Sequence, residues 1–440
     1  MITLKSIINK SSIKNTRPEN ELLLCCSQTH LNTKNSEKTK NLLQKDIDWE
    51  YLIEIANLEG VMPLLYWNLN NIYPEAVSQV ILTRLQESFY ANTSHNLALT
   101  STLLNLLELF AANDISAIPL KGSVLAASVY GNLALRQWSD LDILVHKQDI
   151  LKAKELLLTK GYETPTQTLT QELDLLEFHY NYKFYKLNEE KNIFLELHWK
   201  IATKHINVGG GMIPFDIDIE PFWGRLELVE LSGKKVLNFS PEDLLVILCI
   251  HGAKDRWRQL KWLCDLTQLI YVHPEIDWER VIETSTNIGV ERFIWLALLL
   301  VNELWEVSFP EIIEQKIKEA DPVVKLLASQ VHKRFLYSPG TPITELEHFL
   351  FRFLSSLHHA VWYFSLLYTR GLRKKIKKAI YLICFAILPS EKDKEFIMLA
   401  KSLSFLYYLV RPIRIIAQRD KFYKFNKFAK RIYFKGESGR

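Results

Sequence analysis

The run Asp140-Leu-Asp-Ile-Leu-Val145 limits the possible folds more than any other feature of this chain. It passes from alternating acidic and apolar residues into a short apolar core, the pattern of a strand whose first residues reach a solvent-facing edge. Side chains two apart on a strand share one face, so the spacing predicts two carboxylates pointing to one place. Just upstream, Ile115 to Leu120 is another short apolar run with β-branched residues. It stops at Lys121-Gly122-Ser123, and the pattern turns helical from Val124 to Tyr130. Strand, tight turn and helix followed by an acidic strand predict a small α/β core with its chemistry at one end of the sheet.

The rest of the chain is arranged around that core. Residues 1–45 are rich in Asn, Lys, Ser and Thr and read as a flexible arm with a short helix near Glu19 to Thr29. Residues 46–111 return apolar side chains at three and four positions, as in Leu82, Leu85, Phe89 and Leu99, Leu103, Leu106, Phe110, and read as an N-terminal helical region. Residues 112–235 hold the core. It includes Phe178 to Leu187 and Ile193 to Ile201, two alternating runs around a polar turn that read as a hairpin. From residue 236 to 440 the helical period takes over, opened by Ser240 as N-cap, Pro241 in the first turn and Glu242 and Asp243 against the dipole. The expected class is therefore α+β, a small mixed sheet flanked by helical regions.

Composition narrows the functional classes. The five cysteines lie scattered without a C-x-x-C pair, which speaks against a disulfide scaffold or a structural zinc site and suits a reducing, cytoplasmic setting. The longest apolar run, Ala379 to Leu388, is too short to span a bilayer, which takes roughly 20 residues. The net charge of +4 conceals an asymmetry: Arg370 to Arg440 carries 19 Lys/Arg against 5 Asp/Glu. A basic end interleaved with aromatics, as in Lys421 to Lys435, suits an anionic surface, so peripheral contact with the inner face of a membrane is an expectation for this tail.

D-x-D occurs three times. Asp46 and Asp48 stand at a helix start, where capping explains them, and Asp216, Asp218 and Glu220 alternate with apolar residues as the polar face of a strand or edge. Asp140 and Asp142 differ because a Gly122-Ser123 turn lies close upstream, where backbone N–H groups at a helix start bind phosphate oxygens. Glu196, in Leu195-Glu-Leu-His-Trp199, offers a third acid on a second strand, with His198 on the same face. Paired carboxylates suit Mg²⁺ or Mn²⁺, and a phosphate cradle beside them suits a nucleoside triphosphate. Lys121 and Arg136 are candidates for phosphate charge. His251, Lys254 and Trp257, at i, i+3 and i+6, are candidates for lining the cleft from the helical half.

These segments resemble the uncharacterised nucleotidyltransferase family within the DNA polymerase β superfamily. The resemblance rests on Pro119-Leu-Lys-Gly-Ser-Val-Leu-Ala126, Tyr130-Gly131, Arg136, Ser139 to Val145, Leu195 to Trp199, Ser240 to Leu245, His251 to Asp265 and Leu406 to Arg414, and runs from Glu19 to about Gln418. It implies that Gly122 and Ser123 hold the triphosphate, that Asp140 and Asp142 bind divalent ions, and that Glu196 takes the third-carboxylate place and assists deprotonation of an acceptor hydroxyl. Position 255 is Asp where the family pattern leads one to expect His. The implied activity is transfer of a nucleoside monophosphate, with ATP the expected donor on abundance and a protein, RNA or small-molecule hydroxyl as acceptor. Two other readings fit the acids: a D-x-D glycosyltransferase using a sugar nucleotide, and a non-catalytic scaffold of the same fold that binds membrane or nucleic acid.

Overall fold

The computed structural model describes residues 17–336, apart from 31–32, 166–171, 173–175, 177–178, 188–191, 203–204, 209–210, 215–216 and 218. The basic aromatic tail, the Leu406 to Arg414 motif, Asp216 and Asp218 lie outside the described residues, as do residues 1–16 of the expected arm.

Among the described residues five α-helices precede the sheet: α1 (Pro18–Cys25), α2 (Thr33–Leu43), α3 (Trp49–Leu58), α4 (Met62–Ile72) and α5 (Gln79–Ala111). The second corrects the expectation of a flexible arm, because Thr33–Leu43 is helical although only Thr39 and Leu42 are buried. Its low hydrophobicity hid it. The segment is also tied down ahead of α2: Glu19, 3% exposed, accepts from the Asp48 backbone N–H, and Asn20 donates to the Leu336 carbonyl.

Helix α5 is the long brace of the molecule. Ser78 caps it by accepting from Ile81 N–H. Of its buried positions, Leu82, Leu85, Phe89, Asn96, Leu99, Leu103, Leu106 and Phe110 follow the three-and-four spacing of one packed stripe, with Thr100 and Leu104 buried beside it. The one amide in that stripe, Asn96, donates to the carbonyls of Leu133 and Arg136 at 2.7 and 2.8 Å, and Asn92 one turn earlier donates to Ala134 and Arg136. Thr100 donates to Ser123 Oγ at 2.9 Å. The brace thus grips both the turn after the first strand and the loop that leads into the acidic strand.

The sheet contains β1 (Ala117–Leu120), β2 (Leu141–Val145), β3 (Asn181–Lys186) and β4 (Ile193–His198) in the order β1-β2-β4-β3. Strand β1 is antiparallel to β2, β2 is parallel to β4, and β3 and β4 form the expected antiparallel hairpin, so the sheet is mixed. Between β1 and β2 lies α6 (Gly122–Ser128), and α7 (Ile150–Thr159) follows β2, ending before Gly161 at φ +79° as a helix C-terminus favours. A short hairpin, β5 (His205–Val208) and β6 (Gly211–Pro214), belongs to a separate compact unit.

Helix α8 (Glu220–Trp223) begins at Glu220, which therefore starts a helical turn rather than continuing a strand. It is followed by the hairpin of β7 (Glu227–Leu231) and β8 (Lys234–Asn238), turned by Ser232 and Gly233 at φ 51° and 81°; β8 runs past residue 235. The helices then follow without interruption by strand: α9 (Pro241–Lys254), α10 (Leu260–Val272), α11 (Trp278–Asn287), α12 (Glu291–Trp305), α13 (Glu311–Glu319) and α14 (Pro322–Leu336). Ser240 caps α9 by accepting from Asp243 N–H, as its sequence pattern predicts. The molecule is thus α+β, a small mixed sheet with helical flanks. No helix among the described residues is long and apolar enough to cross a membrane.

Candidate active site

Pairing of the two central strands assembles the site. In the parallel register of β2 and β4, Asp142 lies beside Glu196 and Leu144 beside His198, so Asp142, Glu196 and His198 come to one face. Their ligand atoms all lie within 4.8 Å of one another. His198 Nε2 stands 2.9 Å from Asp142 Oδ1 and 3.5 Å from Glu196 Oε2. Asp140 sits in the bend just before β2 and is half-buried.

The backbone at the neighbouring turn is held in an unusual shape. Lys121 adopts φ 57°, ψ −137°, and Gly122 follows at φ 48°. Two successive positive φ angles reverse the chain from β1 into α6, and glycine tolerates this whereas lysine pays of order 1–3 kcal/mol. That geometry delivers Lys121 Nζ to Asp142 Oδ2 at 3.0 Å. Ser123 is 1% exposed, and its hydroxyl accepts from Thr100, so it fixes the turn from behind.

These neighbours drive the two acids of β2 apart. Burial, reinforced by the charges of Asp142 and Glu196, pushes the Asp140 carboxyl up to about 6. Burial also opposes the charge of Asp142, but the Lys121 ammonium and the His198 hydrogen bond outweigh it and hold its carboxyl well below the usual range. Burial works against the Lys121 ammonium as well, yet Asp142 and Asp140 more than compensate and keep its pKa raised.

Of the residues expected from the helical half, two approach the site and one does not. Lys254 Nζ lies 4.6 Å from the Tyr180 ring centroid, and the charges of Tyr180, Asp255, Glu196 and Asp142 overcome burial to raise its pKa. His251 is pressed well below its ordinary pKa, first by burial and then by Lys121 and Lys254, which places it within the same electrostatic field. Trp257 corrects the expectation. Helix α9 ends at Lys254, Arg256 and Trp257 take φ 57° and 50°, and the indole folds back under Gly252, fully buried. It is a core residue.

Arg136 is likewise placed elsewhere. Its guanidinium, 4% exposed, grips Asp265 of α10 through Nε and Nη2 at 2.8 and 2.9 Å, while Tyr130 donates its hydroxyl to the same carboxylate at 2.8 Å. Instead of facing a phosphate, Arg136 fastens the loop before Asp140 to the helical half.

Asn181, Lys183 and Tyr180 are site residues that the sequence pattern did not single out. Asn181 donates to Glu196 Oε2, and Lys183 Nζ lies 3.0 Å from Glu196 Oε1. A signal for both existed: a hairpin closed by Lys186 opposite Ile193 necessarily puts Lys183 across from Glu196 and Asn181 across from His198.

The cluster fits a divalent cation. Its carboxylates are hard oxygen donors, and the ligand atoms of Asp142, Glu196 and His198 lie close enough together to face one ion. Asp142, Glu196 and His198 are the residues that would hold it, with Asp140 just ahead of them in the bend before β2.

A family described as "Uncharacterised nucleotidyltransferase" matches residues 45–306. The chain belongs to this family. Its matched region contains the sheet, the acidic cluster and the helices that carry Lys254 and Asp265. Among solved structures, similarity is found to the antibiotic-resistance factor ANT(2'')-Ia, at 9% identity and TM-score 0.29, covering 44% of this chain and 91% of that one. A nucleotidyltransferase-like protein from Paracoccidioides brasiliensis gives 15% identity and TM-score 0.28, over 45% and 88% of the two chains. A search of the curated proteins finds no match.

Proposed function

We propose that this nucleotidyltransferase-family chain moves a nucleoside monophosphate from a nucleoside triphosphate, ATP in the first instance, to a hydroxyl acceptor with the help of a divalent ion. The observation that carries the reading is the pairing of Asp142 beside Glu196 at one end of the sheet, with Asp140 just before the same strand, next to a lysine-glycine turn with positive φ angles. In this reading the acceptor oxygen bonds to the α-phosphorus, the bond to the bridging oxygen breaks, and pyrophosphate leaves with the electron pair. Glu196, held by Asn181 and Lys183, takes the acceptor proton. Lys121 and the first turn of α6 at Gly122 and Ser123 receive phosphate oxygens. The ion, Mg²⁺ or Mn²⁺, when bound, supplies charge neutralisation at the phosphates.

The acceptor is a protein, RNA or small-molecule hydroxyl, chosen by the helices and loops around the carboxylates rather than by the carboxylates themselves. A cytoplasmic setting, and peripheral contact of the basic tail with anionic membrane, belong to the same proposal. Neutralising the basic residues of Arg370 to Lys378 should then release full-length protein from anionic liposomes.

The deciding experiment is pyrophosphate release and label transfer from α-³²P-labelled ATP, GTP, CTP and UTP, with Mg²⁺ or Mn²⁺, in a lysate of candidate acceptors. Wild type should label an acceptor, and the Asp140→Ala/Asp142→Ala protein should not. Absence of label with every donor, combined with binding of a sugar nucleotide, would move the site to the glycosyltransferase reading.

A further inference from the structure

The imidazole of His198 is 5% exposed and has its Nε2 directed at two carboxylates rather than one, 2.9 Å from Asp142 and 3.5 Å from Glu196. Its other nitrogen, Nδ1, is buried with no hydrogen-bond partner among the described residues. Here the polar contacts of the ring are concentrated on Nε2 and on the acidic cluster.

The spacing of the three donors suits a shared ion. Donor atoms on one ion with bonds of about 2.1 Å stand roughly 3.0 Å apart when adjacent and about 4.2 Å apart when opposite. The two separations from His198 Nε2, 2.9 Å to Asp142 Oδ1 and 3.5 Å to Glu196 Oε2, fall in that range, and the whole donor set lies within 4.8 Å. Strand geometry fixes them: Glu196 and His198 are two apart on β4, and Asp142 is locked beside Glu196 by the parallel register.

We infer that His198 Nε2 is a direct metal ligand together with Asp142 and Glu196, and that this mixed nitrogen–oxygen set selects a first-row transition ion such as Mn²⁺ over Mg²⁺. Imidazole nitrogen favours borderline first-row ions, whereas Mg²⁺ prefers an all-oxygen shell and parts reluctantly with its waters. The inference rests on the nucleotidyl-transfer reading only in requiring an ion at these carboxylates.

Pulsed electron paramagnetic resonance of Mn²⁺ bound to the full-length, tag-free protein tests it. The expected spectrum carries a ¹⁴N modulation that converts to the ¹⁵N pattern when the histidines alone are ¹⁵N-labelled. The coupling should vanish in His198→Gln and persist in His251→Gln. Mg²⁺ should displace Mn²⁺ only at an excess of about tenfold or more in wild type, and near parity in His198→Gln. Where His198→Gln fails to fold, the isotope exchange in wild type together with its persistence in His251→Gln decides. Bound Mn²⁺ without histidine-nitrogen coupling overturns the ligand assignment and leaves nucleotidyl transfer standing. Failure of wild type to bind either ion, with or without ATP, overturns both.

Discussion

Removing the Asp265 carboxylate tests whether Arg136 is a structural fastener or a nucleotide contact. Asp265 is 1% exposed and accepts from Arg136 Nε, Arg136 Nη2 and the Tyr130 hydroxyl, all within 2.9 Å. Asp265→Ala leaves a guanidinium buried without its partner, a loss of about 3–5 kcal/mol. It also strips the Tyr130 hydroxyl of its acceptor, adding about 1–3 kcal/mol unless water enters. The expected cost is therefore at least ~3 kcal/mol, a large share of the ~5–15 kcal/mol that stabilises a typical domain. Arg136→Met/Asp265→Leu removes both charges, and should recover stability to within about 2 kcal/mol of wild type because desolvated pairs contribute little net. Urea unfolding followed by circular dichroism measures all three proteins. A cost below about 1 kcal/mol for Asp265→Ala, or a double variant as unstable as the sum of its parts, refutes the fastener role. If Arg136 instead faced the triphosphate, Arg136→Met would weaken ATP binding while leaving the unfolding midpoint where it was.

The turn at Lys121 separates backbone from side-chain effects: Lys121→Gly and Lys121→Ala both delete the ion pair with Asp142, but only glycine relieves φ 57°. Glycine should be the more stable of the two by about 1 kcal/mol in thermal unfolding, and an alanine variant equal to it would show the turn to be unstrained. Gly252→Ala would put a methyl 2.2 Å from the buried Trp257 ring, so it should destabilise by roughly 1–3 kcal/mol, and an unchanged melting temperature would refute that packing. Burial pushes Glu303 up to about 7, and its Oε2, 3.6 Å from His332 Nδ1, makes no hydrogen bond among the described residues. Because its folded pKa is raised, its stabilising contribution is full below the unfolded value near 4.5 and is lost as pH rises to about 7. Glu303→Gln should consequently be the more stable protein at pH 8, by about 1–3 kcal/mol, and no less flat across pH 5–7; a wild type that gains stability over that interval contradicts the assignment.

What local pattern can specify was legible. Alternation located β2 and the β3–β4 hairpin, glycine and lysine located the turn, and Ser240 and Asp48 announced the starts of α9 and α3, each by accepting a backbone N–H three residues on. Long-range pairing was not legible. Arg136 and Asp265 are 129 residues apart, and nothing in either neighbourhood identifies the other as partner. The parallel alignment of Asp142 with Glu196 depends on a crossover between β2 and β4 whose register no turn fixes. Trp257 departs from the expected face for a local reason: i, i+6 spacing holds only while a helix continues, but α9 stops at Lys254 and two positive φ angles return the indole to Gly252. The polar residues of α5 carry no signal in the apolar period, because Asn92, Asn96 and Thr100 act through hydrogen bonds.

That brace explains how a cluster of acids persists at the end of a four-stranded sheet. Asp140 and Asp142 are two residues apart, yet their neighbours assign them opposite behaviour: Lys121 and His198 both attend Asp142, while Asp140 meets burial and two like charges. Such an arrangement is costly and would relax by letting the loop before β2 swing outward into water. Four contacts oppose that motion. Asn92 and Asn96 hold the Arg136 carbonyl from α5, Arg136 itself is clamped to Asp265 on α10, and Lys261 of the same helix donates to the Gln137 carbonyl at 3.3 Å. The Lys261 stem reaches that carbonyl by crossing Gly60, where a side chain would meet its Cδ at 2.5 Å. Helices from both flanks therefore converge on residues 136 and 137, three to four positions before Asp140. The helical regions on either side of the sheet are what hold the acidic loop in its unfavourable place, so the small core depends on both of them for the geometry of its site.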